Sequence, residues 1–100
     1  MAADVLSRYI TSDPNIFDGK PHITGHRIRV VDVAIWNDKF GWSPDAIASK
    51  FNLSLAEVHA ALAYYFANRE ALDSDLIREA AFVSELKRRH PSRLPGTALG

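Results

Sequence analysis

Ser43-Pro44-Asp45-Ala46-Ile47-Ala48-Ser49-Lys50-Phe51-Asn52-Leu53-Ser54-Leu55-Ala56-Glu57-Val58 is the stretch that decides the fold. Ser43 is a strong helix N-cap, Pro44 suits the first helical position, and Asp45 faces the positive helix end. Ile47, Ala48 and Phe51 recur at helical spacing and make an inner face. Asn52 tolerates the left-handed backbone that stops a helix. Ser54 opens the next helix, and Glu57 three residues on completes a capping box. Small Ala48 permits close approach, and Phe51, Leu53 and Val58 fill the corner. This is helix-turn-helix spacing, and the second helix of the pair is the one such a unit offers to a major groove.

The reading extends in both directions from this corner. Downstream, Val58, Ala61, Leu62, Tyr65 and Phe66 predict a buried stripe. Asp73 or Ser74 is expected to cap a further helix with a stripe of Leu72, Leu76, Ala80, Val83 and Leu86, which Pro91 ends. Upstream, Val31, Val33, Ile35, Trp36 and Phe40 predict the first helix, closed by Gly41. Before it, Asp13-Pro14-Asn15, Asp18-Gly19 and Thr24-Gly25 separate three short pieces, Tyr9–Thr11, Pro21–Thr24 and Ile28–Val31. Such pieces are too short to bury a face alone, so they predict an edge-type β-ribbon needing a partner to pair with. A second copy of the chain is the simplest one, which makes a homodimer through the ribbon the expectation. The chain therefore reads as mainly α, about four helices and a ribbon over residues 1–90, with a flexible basic tail over residues 91–100.

Composition narrows the function. One hundred residues suffice for one domain, and 47% hydrophobic with 24% charged residues is an ordinary globular balance. Twelve basic and twelve acidic residues cancel, so attraction to nucleic acid must come from local patches. The absence of cysteine removes disulfides, thiolate nucleophiles and the usual structural zinc sites, and suits a cytoplasmic setting. No segment reads as a membrane span or signal peptide. No paired carboxylates, Ser/His/Asp set or phosphate-cradling glycine loop is present, so the chain does not read as an enzyme and implies no cofactor.

Candidate binding residues fall into two groups. At the start of the expected groove-facing helix, Ser54 and His59 can donate to a base or phosphate, beside Leu55, Ala56 and Ala60. The segment Ser54–Ala63 nevertheless carries one formal charge, the negative Glu57. Affinity for DNA rests largely on neutralised phosphates. Between Gly19 and Val31, Lys20, Arg27 and Arg29, with His22 and His26, supply positive charge with no acid among them. The same ribbon equally suits a solvated edge strand charged against aggregation. Ala56, Ala60, Ala63 and Ala67 make a small apolar stripe that would suit an approaching helix as well as a groove. The second group closes the chain, where Lys87, Arg88, Arg89, His90 and Arg93 again lack acids. A helix with such a tail is either simply solvated or wraps an acidic partner. His22 and His26 lack a third ligand, which leaves metal binding unsupported.

Ile10-Thr11-Ser12-Asp13-Pro14-Asn15-Ile16, Gly19-Lys20-Pro21-His22-Ile23 and Gly25-His26-Arg27-Ile28-Arg29-Val30 resemble the opening of the "domain of unknown function 433" family. The resemblance continues through Gly41–Ala48 and Val58–Tyr65 and covers about residues 8–90. Asp18 stands where the family more often has glycine, and His26 where threonine is frequent. The resemblance implies a homeodomain-like helix-turn-helix bundle with an N-terminal ribbon, dimeric, acting as a VapB-like antitoxin and autorepressor. The ending His90-Pro91-Ser92-Arg93-Leu94 resembles a subgroup accompanied by PIN-like ribonuclease toxins. Such nucleases hold metal ions with clustered carboxylates, where a guanidinium would compete with the metal. Arg88, Arg89 and Arg93 are then the inhibitory candidates, with Ile77 and Phe82 as apolar anchors. A free-standing regulator and an interaction module without a DNA role are the alternatives.

Overall fold

The computed structural model describes residues 2–90, with side chains from Leu6 onward. The element order is α1 (Ala2–Tyr9), β1 (Ile10–Thr11), β2 (His22–Ile23), α2 (Val30–Asp38), α3 (Pro44–Phe51), α4 (Leu55–Ala67) and α5 (Arg69–Arg89). The chain divides into a first unit ending at Arg69 and a second beginning at Glu70. The protein is mainly helical with a small antiparallel ribbon near its N-terminus, as the periodicity predicts.

The ribbon finds its pairing partners within the chain. Ile10 stands opposite Ile23 and Thr11 opposite His22. On the other side, the amide of Ile23 donates to Ile28 O at 2.9 Å, and that of Val30 donates to Pro21 O at 3.0 Å. Pro21, with no N–H of its own, thus serves as an acceptor only. The middle piece thus pairs with both of the others within one chain, and β1 and β2 both lie against α4.

Between the strands the chain reverses through Phe17–Gly19, where all three residues have positive φ, 52° at Phe17, 55° at Asp18 and 81° at Gly19. Glycine adopts this region freely, whereas a side-chain-bearing residue is strained there. The Phe17 ring meets the His22 ring edge-on at 5.8 Å between centroids, which helps hold the turn.

α2, α3 and α4 contact one another, and α1 also lies on α4. Ile23, Val30, Val33, Ile47 and Val58 are the largest fully buried side chains, so the core draws on the ribbon and on all three of those helices. Trp36 of α2 stacks face to face on Phe51 of α3, 3.9 Å between centroids and 8° from parallel.

Several expectations are corrected. An N-terminal helix, α1, precedes the ribbon where none was expected. Phe40, expected inside the first helix, lies beyond the end of α2, and Phe66, expected in a buried stripe, is on the outside of α4 and 61% exposed. Ala60 is buried although the alanine pattern places it outward. α5 starts at Arg69, which leaves Asp73 and Ser74 inside the helix and not at its cap. Within α5, Leu72 is buried and Leu76 half-buried, while Ala80, Val83 and Leu86 are exposed. The expected tail over residues 91–100 lies outside the described residues. Among the described residues no helix is long and apolar enough to cross a membrane.

The strained turn yields a prediction. Asp18→Gly should relieve the left-handed penalty and stabilise the fold, by about 0.5–1 kcal/mol after allowing for the freer unfolded chain. Chemical denaturation of the two proteins side by side measures it, and a destabilised glycine variant would mean that the Asp18 side chain holds the turn.

Candidate functional site

The helix-turn-helix corner is built by local chemistry. The Ser43 Oγ accepts the amide hydrogen of Ala46 at 3.1 Å, with Pro44 inside the first turn. Asn52 takes φ 55° and ψ 47°, the left-handed conformation, and its amide closes α3 by donating to Ala48 O. Leu53 follows, buried, and donates its own amide to Ala48 O at 2.9 Å. The Ser54 amide donates to Glu57 Oε1 at 2.8 Å, and the Glu57 amide donates to Ser54 Oγ at 3.0 Å, the reciprocal pair of a capping box.

Glu57 does a second thing that the linear pattern hides. Its other carboxylate oxygen lies 3.2 Å from His26 Nε2. The loop between β2 and α2, which turns at Gly25 with φ 81°, is thereby held against the start of α4. Arg27, the next residue on that loop, is exposed and makes no ion pair among the described residues. Ser54, Leu55, Ala56 and His59 are exposed on the first turns of α4. The contact thus brings the loop that carries His26 and Arg27 to the first turn of α4, which Ser54 caps, while His59 is exposed one turn further on.

The other basic ribbon residues behave differently. Arg29 is clamped to Asp32, with Nη2 to Oδ1 at 3.1 Å and Nε to Oδ2 at 3.4 Å, and its amide donates to Oδ2 at 3.0 Å. Its guanidinium thus neutralises a carboxylate and helps start α2. Lys20 is half-buried and lends its carbonyl to the His22 Nδ1, 3.3 Å away. His22 is a core histidine, 3% exposed, whereas His26 lies on Glu57. The two histidines go separate ways, and among the described residues no three potential ligands gather as a metal would need.

A groove of about 110 Å³ between α2 and the end of α4 is lined by Asn37, Asp38, Tyr65, Phe66 and Arg69, among others. That is well below the few hundred Å³ of a small-molecule site.

The second group of expected residues lies on α5. Ile77 and Phe82 are 70% and 64% exposed. Arg88 and Arg89 are both paired to Glu85 within the helix, the Arg89 Nε at 3.0 Å, and both stay open to solvent. Arg93 lies outside the described residues.

A family model described as "Protein of unknown function (DUF433)" matches residues 10–65, more than half of the chain. The chain belongs to this family. The DUF433 match runs from β1 to near the end of α4, so it takes in Lys20, Arg27, Arg29, Ser54 and His59 and stops short of α5. No curated protein and no solved structure matches the chain. The DUF433 portion thus coincides with the ribbon and the helix-turn-helix corner, and α5 lies outside it.

The capping box is testable by itself. Ser54→Ala should cost about 1 kcal/mol of stability by removing the cap acceptor. Glu57→Ala should in addition release the loop at His26, seen as faster amide hydrogen exchange at Gly25–Arg27. Unchanged exchange there would show that the loop is held by its backbone bonds.

Proposed function

We propose that this protein is an antitoxin that binds operator DNA through the start of α4 and the adjoining ribbon loop, and a PIN-like ribonuclease through α5. It acts by binding, not by catalysis, in the cytoplasm. The observation that carries the DNA half is the contact of His26 with Glu57, which sets exposed Arg27 beside the first turn of α4. A loop cation beside a poorly charged helix supplies what that helix lacks, since phosphate contacts give affinity and base contacts give choice of sequence. Ser54 and His59 are the donors within reach of a groove. The partner half rests on Ile77 and Arg88, eleven positions and three turns apart, which put an exposed apolar group and a guanidinium on one side of α5. An arginine delivered among metal-binding carboxylates forms charge-assisted hydrogen bonds and displaces the metal.

A second reading, an interaction module without DNA, is favoured by Leu55, 46% exposed at the front of α4, and by the pairing of Arg29 with Asp32. Salt-dependent binding separates the two.

Under the first reading, Arg27→Ala weakens binding to every sequence and lowers the salt slope by about one for each phosphate that the arginine neutralises. Arg29→Ala leaves the slope as it was, because its charge is already matched. His59→Ala changes the ranking of sequences. Ile77→Asp combined with Arg88→Glu abolishes neutralisation of the co-expressed nuclease and leaves DNA binding intact. Absence of any retardation with host promoter DNA would establish the module reading, and full neutralisation by the double variant would remove α5 from the partner contact.

A further inference from the structure

α5 carries a second face that the proposed partner contact does not use. Leu72, Leu76, Glu79, Val83 and Leu86 follow one another at steps of four and three, the spacing of a coiled-coil seam. Ile77 and Arg88 lie on the opposite side of the helix. Leu72 is buried, but Val83 and Leu86 are 41% and 42% exposed, and Phe82 at the edge of the seam 64%. Among the described residues, this apolar seam on a 21-residue helix is uncovered from Phe82 onward.

The charge pattern says what covers it. The first half of α5 holds Glu70, Asp73, Asp75 and Glu79 against Arg69 and Arg78, and the second half holds Lys87, Arg88 and Arg89 against Glu85. A parallel pair of such helices would set the three basic residues beside their own copies. An antiparallel pair sets the basic end of each helix on the acidic half of the other.

We infer that α5 pairs with α5 of a second copy of this chain as a short antiparallel coiled coil. Placing Leu76 against Leu86 of the second copy fixes the register. Val83 then meets Glu79 of the second copy, Phe82 lies beside its own copy near the twofold axis, and the flanks bring Asp73 to Lys87 and Asp75 to Arg89. Both charged flanking pairs are of opposite sign. The present ion pairs Asp75–Arg78 and Glu85–Arg89 lie within one helix, with arginines at least 70% exposed, and such surface pairs exchange partners at little cost. Glu79 is the one seam position that opposes the pairing, and it limits the dimer's strength.

The full chain, which contains no cysteine, allows a clean test. Sedimentation equilibrium should show a reversible dimer that Val83→Glu weakens at least tenfold and Glu79→Leu strengthens at least tenfold, with circular dichroism showing α5 still helical. With a short bis-maleimide linker, Phe82→Cys should join to its own copy. Leu76→Cys should not self-link, nor should Leu86→Cys, yet a mixture of the two should cross-link. Self-linking of both single variants would mean a parallel pair and overturn the proposal. So would a monomer that persists in the Glu79→Leu variant, or a dimer indifferent to both seam changes.

Discussion

Everything in the first unit depends on how closely α4 can be approached. It is the element that α1, α2, α3 and both strands all touch. Five neighbours around one helix of 13 residues require that some of its surface be nearly flat, and Ala60 and Ala61, both buried, provide that. Val58, fully buried, supplies the bulk between them and the α3 corner. A larger residue at either alanine would overpack the helix and push back a neighbouring element.

This arrangement also decides what α4 shows to the outside. With much of its length walled in, its first turns and an outer row through Ala63, Phe66 and Ala67 face solvent. The functional surface is therefore small, and it is enlarged by what the capping box attracts. Glu57 satisfies a backbone donor with one oxygen and fixes the ribbon loop with the other. A carboxylate at this position thus ties a folding device to the geometry of the proposed binding surface.

The corner itself is legible in the sequence because its signals are local. Ser43-Pro44, Asn52 and Ser54 with Glu57 each act within four residues, and each does in the structure what its chemistry suggests. Effects that cross between segments are not legible in this way. The stretch from Gly19 to Val31 contains no acid, but Asp32 is the next residue and Glu57 arrives through the fold, so Arg29 and His26 each meet a carboxylate after all. Ala60 reads as outward on a wheel of α4 alone and is buried because the helix has neighbours on several sides. On α5 the apolar stripe is plain as a periodicity, yet a period says nothing about what lies opposite it. Past Leu76, none of the described residues covers the stripe.

The aromatic corner has a spectroscopic consequence. Both tryptophans, Trp36 and Trp42, belong to it, with Phe51 stacked on the first and the Lys50 ammonium 4.7 Å above the ring of the second. The tyrosines are Tyr9, Tyr64 and Tyr65, and from Glu70 to the end of the chain Phe82 is the lone aromatic ring. Tryptophan and tyrosine emission therefore comes from residues of the first unit. The backbone of α5, in contrast, contributes strongly to the far-ultraviolet signal. The two optical channels separate the halves of the protein without any added label, and a difference between their unfolding curves would be a direct reading of how independent those halves are.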